Sequence, residues 1–184
     1  MRALHAARGR TAIAKKDSAS DVLPEQGETK GNARAARRPP PSSEAVRKRM
    51  KSTPQRDTPA ELRVRRLLHA MGLRYTIDAS PLSDSARRAD IVFRRARVAV
   101  FVDGCFWHGC PVHVTWPRAN ARFWREKIHA NMKRDADTNL QLERQGWIAI
   151  RIWEHEEAAR AAHHVAKQVK ARIDALRPLE HSRK

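Results

Sequence analysis

Residues 103–113 read Asp-Gly-Cys-Phe-Trp-His-Gly-Cys-Pro-Val-His. The segment holds both cysteines of the chain, two histidines, an acid and an adjacent aromatic pair. It follows Arg97-Val98-Ala99-Val100-Phe101-Val102, where Val98, Val100 and Val102 share one face at period two, the pattern of a β-strand. Any fold of this chain must therefore end a strand at residue 102. It must then hold a loop that carries soft metal ligands, an acid, a base and flat apolar side chains. Ordinary core packing needs no such mixture.

The flanking elements set the architecture. Thr58-Pro59-Ala60-Glu61 predicts a helix start, with Thr58 as N-cap, Pro59 at the first position and Glu61 closing a capping box. Ala60, Val64, Leu67, Leu68 and Met71 follow at helical spacing, and Gly72 ends the helix. Residues 73–77 read as a short strand, 78–89 as a polar loop and 90–93 as a second strand. The turn at 94–96 leads into the strand that ends at Val102. Residues 118–145 form a long helix with Phe123, Trp124, Ile128, Met132, Leu140 and Leu142 as its apolar positions. Residues 147–153 form a strand with Ile148, Ile150 and Ile152 on one face. Residues 155–176 form a last amphipathic helix stopped by Pro178. This order predicts an α/β fold, a mixed sheet flanked by helices.

Charge points to the partner. The chain of 184 residues carries a net charge of +18. Residues 1–56 hold 14 basic and 5 acidic groups and residues 57–184 hold 24 and 15, so each part carries +9. The folded part is thus basic in its own right, which suits a polyanion such as nucleic acid. No apolar run approaches the ~18 residues of a membrane span. Two cysteines five positions apart make no secreted disulfide framework, and a reducing, cytoplasmic setting at the nucleoid is expected. Residues 1–43 read as a disordered basic extension with a Pro-rich linker, residues 44–177 as the folded domain and 178–184 as a tail. Within residues 43–56, Arg47, Lys48, Arg49, Lys51 and Arg56 suit a short helix along a phosphate backbone.

Three constellations carry chemistry. Cys105, Cys110 and His113, closed by His155 after the last strand, make a two-thiolate, two-imidazole set that suits tetrahedral Zn²⁺. His108 is a fifth candidate, and two reduced core cysteines with surface histidines are the plain alternative. Asp90 opens one strand and Asp103 ends its neighbour. If the two strands pair, both carboxylates meet at one end, a setting for Mg²⁺. His108 is then a candidate general base for water attacking a phosphodiester, and Glu61 reaches the same centre from the first helix. Each acid also has a structural alternative: Glu61 in its capping box, Asp90 in an ion pair with Arg87 or Arg88, Asp103 in a turn before Gly104. Phe106-Trp107, joined by Trp124, suit a wedge pushed between base steps.

On these residues the chain resembles the very short patch repair (Vsr) DNA mismatch endonuclease family. The likeness runs from about Ser43 to Glu157. It includes Arg56-Asp57-Thr58, Arg88-Ala89-Asp90-Ile91-Val92, Val100-Phe101-Val102-Asp103-Gly104-Cys105-Phe106-Trp107-His108, Phe123-Trp124-Arg125-Glu126-Lys127, Gly146-Trp147 and Trp153-Glu154-His155-Glu156. The resemblance implies a restriction-endonuclease-like fold with a structural zinc loop. It implies Mg²⁺-dependent, strand-specific nicking 5′ of the thymine in T:G mismatches left by 5-methylcytosine deamination. It places the metal-binding acid at Asp90 with the Val102 carbonyl, the helix-borne acid at Glu61, and the catalytic histidine at His108. The intercalating aromatics fall on Phe106, Trp107 and Trp124, and the zinc ligands on Cys105, Cys110, His113 and His155.

The chain departs from the family pattern in four ways. Asp103 stands where the pattern has a second catalytic histidine. The order of Cys and His ligands differs, although two sulfurs and two nitrogens remain. The basic N-terminal extension lies outside the family core, and the catalytic lysine of the wider superfamily is absent, which shifts the burden to His108. The reading is a monomer acting on double-stranded DNA, alone or with other mismatch-repair proteins. A non-catalytic zinc-containing DNA-binding protein and a restriction-type nuclease acting on matched DNA are the alternatives.

Overall fold

The alternating valines lie at the centre of a four-stranded sheet. In the computed structural model, which describes residues 39–41, 43–52, 54 and 56–181, the strands are β1 (Thr76–Ala79), β2 (Ala89–Phe93), β3 (Val98–Asp103) and β4 (Ile148–Trp153). They lie in the order β1-β2-β3-β4. β1 to β3 run antiparallel, while β4 lies parallel to β3 with Val98 beside Ile148 and Asp103 beside Trp153. The helices are α1 (Glu44–Ser52), α2 (Pro59–Ala70), α3 (Ala121–Arg144) and α4 (Ala158–His181). A parallel pair needs a long crossover, and α3 lies within the one between β3 and β4. The mixed α/β sheet flanked by helices is as the sequence predicts.

Burial explains the strand order. β3 is hydrogen-bonded on both edges, and five of its six residues are buried, as a central strand covered on both faces must be. On one face Ile91, Phe93, Val98, Val100, Ile150 and Ile152 pack against α2 through Val64 and Leu68. The same face meets α4 through Ala161, Ala162, Val165 and Val169. On the other face Val92, Ala99 and Phe101 pack with Leu142 of α3.

Several boundaries differ from the sequence reading, and α3 begins at Ala121 instead of residue 118. β1 begins at Thr76, because Tyr75 turns inward to donate its hydroxyl to the Arg65 carbonyl (2.7 Å) and to meet Phe93 edge-on. The polar residue Asp78 belongs to β1 and not to the following loop. α4 begins at Ala158, since Glu156 accepts from the Trp153 N–H (2.9 Å) and holds residues 154–157 as a turn. α4 also continues past Pro178 to His181. The missing Pro178 N–H leaves only the carbonyl of exposed Asp174 without its helical donor, and water can reach it. The expected extension over residues 1–43 lies outside the described residues except for 39–41 and 43. No described helix is long and apolar enough to cross a membrane.

The largest correction concerns α3. Two of its expected apolar positions, Met132 and Leu140, are 44% and 50% exposed. The inward stripe is Trp124, Ile128, Asn131, Thr138 and Leu142, with half-buried Asp135 between them. The steps along that stripe are four and three residues, as helix geometry requires, but its middle is polar. Leu142→Ala should therefore cost about 2–5 kcal/mol of unfolding free energy. Leu140→Ala, two residues earlier, should stay within about 0.5 kcal/mol of the parent. Chemical denaturation of the two variants checks the assignment of the buried face.

Candidate active site and metal centre

Pairing of β2 with β3 sets Ile91 opposite Val100, which carries Asp90 to the end of β3. There Asp90 Oδ2 accepts the Val102 N–H at 2.7 Å. The neighbouring arginines are engaged elsewhere: Arg88 binds Asp78 and Arg87 binds Asp137. The surface ion-pair alternative for Asp90 therefore fails. Burial raises the Asp90 pKa to about 6. The negative charges of Glu61 and Asp103 add to that rise, against the Val102 N–H and Arg65, which lower it. A carboxyl held this way, with like charges beside it, is one that a cation would keep ionised.

Glu61 is 4% exposed and completes the cap of α2. Its backbone N–H donates to Thr58 Oγ1 (3.3 Å), and the Thr58 hydroxyl donates back to Oε1 (3.0 Å). Oε2 accepts from the Asp57 N–H (3.1 Å) and from Arg65 Nη2 (2.7 Å). The capping box and the approach to Asp90 are thus one arrangement, because α2 begins beside the sheet end. Both Glu61 oxygens are already engaged by protein donors.

The loop after β3 carries His108 beside the middle of α3. His108 Nδ1 lies 2.6 Å from Asp135 Oδ2 and 3.6 Å from Asp103 Oδ1. Burial, the largest single influence, pulls the imidazole pKa down. The Asp135 hydrogen bond and the charges of Asp103 and Asp135 outweigh it, and the net shift is upward. Burial likewise raises the Asp135 carboxyl, but His108 and Arg151 bring it below its usual value. Asp135 is therefore an anion that accepts the Nδ1 proton, which leaves Nε2 of His108 as the basic nitrogen.

Asp103 does not make a turn. It ends β3 as a 4% exposed acid, and Arg151 Nη1 from β4 donates to both of its oxygens at 2.8 and 2.7 Å. Neither Asp135 nor Arg151 stood out in the sequence. The available signal for Asp135 was its place in the four-three stripe of α3, where a polar residue inside a buried face asks for a reason.

The same loop gathers the soft ligands. Cys105, Cys110, His113 and His155 each offer a ligand atom, and these atoms all lie within 4.8 Å of one another. Cys105 Sγ is 3.1 Å from His155 Nδ1, and Cys110 Sγ is 3.8 Å from the same nitrogen. Both cysteines are buried free thiols. Burial, the adjoining Cys110 and the charge of Glu154 push the Cys105 thiol up to about 12. Two thiolates side by side therefore need a cation between them. Tetrahedral zinc sets its ligand atoms about 3.3–3.8 Å apart, given its bond lengths, so this set fits such an ion. The loop also docks on α3: Gly109 has φ +65, and a Cβ there would meet Met132 Sδ at 2.7 Å.

Phe106, Trp107 and Trp124 meet edge-to-face with centroids 5.1–6.0 Å apart. Trp124 is buried and forms the base of the cluster, while Phe106 and Trp107 are half-buried. The Trp107 carbonyl accepts from Asn131 Nδ2 of α3 at 2.8 Å. The three rings face a cavity of about 710 Å³ whose far wall includes Val46, Arg47 and Met50 of α1. The aromatic cluster, the His108 pair and the Cys/His group each draw at least one residue from the loop after β3.

The family described as DNA mismatch endonuclease Vsr matches residues 42–113. The type II nicking enzyme V.NaeI of Lentzea aerocolonigenes is 38% identical over 145 residues, covering 78% of this chain and 83% of that protein. The type II nicking enzyme V.XorIIP of Xanthomonas oryzae pv. oryzae is 34% identical over 116 residues, 62% of this chain and 83% of its own length. DNA mismatch endonuclease Vsr of Escherichia coli K12 is 33% identical over 108 residues, 58% of this chain and 67% of that protein. The chain belongs to the Vsr family of DNA mismatch endonucleases.

Proposed function

We propose that the chain nicks one strand of double-stranded DNA 5′ of the thymine in a T:G mismatch, with Mg²⁺ as catalytic cofactor and Zn²⁺ as a structural ion. The observation that carries this reading is the His108–Asp135 pair (2.6 Å), next in sequence to the Trp107 wedge. Asp90, from the next strand of the sheet, supplies the buried acid. Asp135 holds Nδ1–H, so His108 Nε2 takes a proton from water as the water oxygen bonds to phosphorus and the bond to the leaving oxygen breaks. Asp90 and the Val102 carbonyl would hold Mg²⁺, which when bound supplies positive charge where charge builds on the phosphate oxygens. Glu61, its oxygens engaged by the cap, adds negative charge at that centre without direct ligation.

Phe106 and Trp107, based on Trp124, enter the base stack. A mismatch costs less to unstack than a matched pair, which supports discrimination by deformation. Two curated relatives named type II nicking enzymes support single-strand cleavage as the outcome. The basic surface supplies phosphate affinity independent of sequence.

A strand-labelled duplex with one T:G mismatch in randomised flanks tests the reading. A Mg²⁺-dependent nick 5′ of the T, absent from matched duplex, is expected. His108→Ala should lose at least about 100-fold in rate while duplex affinity stays within a few-fold. An equal nick in matched duplex would favour a restriction-type nuclease. Binding by the wild type without a nick would favour a DNA-binding protein.

Asp90→Asn separates the metal role from the fold. The folded carboxyl holds its proton up to about pH 6, the unfolded one only to about 4. Folding therefore takes up a proton between those values, and stability falls as pH rises through that window and stays low above it. Asp90→Asn should abolish nicking yet raise metal-free stability above pH 6 by on the order of 1–3 kcal/mol, with no gain below pH 4. Thermal denaturation against pH, with and without Mg²⁺, reads both effects.

Zinc is tested by composition and stability. Purified protein should hold about one zinc per chain, and Cys110→Ser should lower both zinc content and Tm by many degrees. Full folding of metal-stripped protein, with unchanged DNA affinity, would overturn the structural role.

A further inference from the structure

Arg151 is engaged by four residues of two elements, β3 and α3, at once. Its register partner on β3 is Phe101, and its guanidinium lies over that ring, 4.7 Å from the centroid. Nη1 donates to both oxygens of Asp103 at the end of β3. Nη2 faces Asp135 Oδ1 of α3 at 3.1 Å, and Nε donates to Asn139 Oδ1 at 3.2 Å. Every nitrogen of the fork faces a protein acceptor, and four of its five N–H groups are directed into the protein.

The two acids it touches are the two candidates for orienting His108. Nδ1 of His108 stands 2.6 Å from Asp135 and 3.6 Å from Asp103. One N–H cannot serve both, and the choice sets the ring plane and hence the direction of Nε2. Asp103 is the more buried of the two. A buried carboxylate without a partner takes the nearest donor. With Arg151 on both its oxygens, Asp103 is satisfied and the imidazole is left to Asp135.

We propose that Arg151 is a positioning residue: it withdraws Asp103 from His108 and from the Asp90 metal site, so that Asp135 alone orients the imidazole. The proposal deepens the nicking reading above and rests on it for its kinetic arm. Asp103 then acts neither as a second proton carrier nor as a direct Mg²⁺ ligand. It stands at the end of β3 as a bridged anion, and the pair Asp103–Arg151 occupies the position where the family pattern has a second histidine.

Arg151→Met and the double variant Asp103→Asn with Arg151→Met make the test. For Arg151→Met, kcat on the T:G duplex should fall at least about 30-fold with KM within about 3-fold, because an imidazole held by Asp103 directs Nε2 away from the phosphate. Replacing the rival acid by a neutral amide in the same background should return at least about 10-fold of the loss. A brace that only holds the strands together would show no such recovery in rate at matched folded fraction.

The His108 Nδ1 proton, followed by ¹⁵N-edited NMR of the zinc-loaded protein without DNA, gives a readout independent of activity. Its shift should move in Arg151→Met and return toward the wild-type value in the double variant. If wild-type protein nicks no duplex, the nicking reading fails and the NMR arm alone decides the role of Arg151. Should Arg151→Met fail to fold, Arg151→Lys serves. A single ammonium can still hold Asp103, so kcat and the Nδ1 shift should stay close to wild type, and a loss of at least about 30-fold would overturn the proposal. Unchanged kcat and Nδ1 shift in Arg151→Met, a loss carried by KM, or a double variant no better than the single one would each overturn the proposal.

Discussion

Everything at the site hangs from the far end of β3. That strand is hydrogen-bonded to β2 on one side and β4 on the other, and it is covered on both faces. Its position is therefore set to within a fraction of a residue, since a one-residue slip would turn its valines from one core to the other. The β2 pairing brings Asp90 to the Val102 amide. The β4 pairing brings Arg151 within reach of Asp103 and places His155 beyond the strand end near Cys105. A change of register in either pair would separate the acids, or the soft ligands, without altering a single functional residue.

The loop that follows carries three duties in six residues because it is tied on several sides. Its own turns are closed by hydrogen bonds from His108 N–H to the Gly104 carbonyl and from Cys110 N–H to the Cys105 carbonyl. Glu154 accepts the Cys105 N–H at 2.6 Å, and Asn131 holds the Trp107 carbonyl from α3. Gly109 lets the backbone approach the same helix. A wedge must resist the force of unstacking bases, and a base must keep its aim. Both needs are met by fixing one backbone, which explains why the aromatic pair and His108 are neighbours in sequence.

The polar centre of α3 is the second half of the site. Asn131, Asp135 and Thr138 lie on a face whose ends, Ile128 and Leu142, are fully buried. Each of the three has a protein partner: Trp107, His108 and Arg87 respectively. Buried polar groups cost stability unless paired, so a polar stripe satisfied in this way reflects use of the face and not a packing defect. The price of reading α3 by hydrophobicity alone was to send Met132 and Leu140 inward and to miss Asp135.

The sequence by itself determined the elements, their order, the mixed sheet and the family, because period-two valines, a capping box and a dense Gly-Cys-Phe-Trp-His segment are local signals. It also named the four soft ligands, three of which lie within nine residues. Only the tertiary structure decided which acid does what. Asp90, Asp103, Asp135 and Glu61 come from four separate elements, and their roles depend on which donors face them: a backbone amide for Asp90, an arginine fork for Asp103, an imidazole for Asp135 and a helix cap for Glu61. Those donors arrive through strand register and helix docking, so carboxylates that look alike in a sequence acquire distinct partners only once the chain is packed.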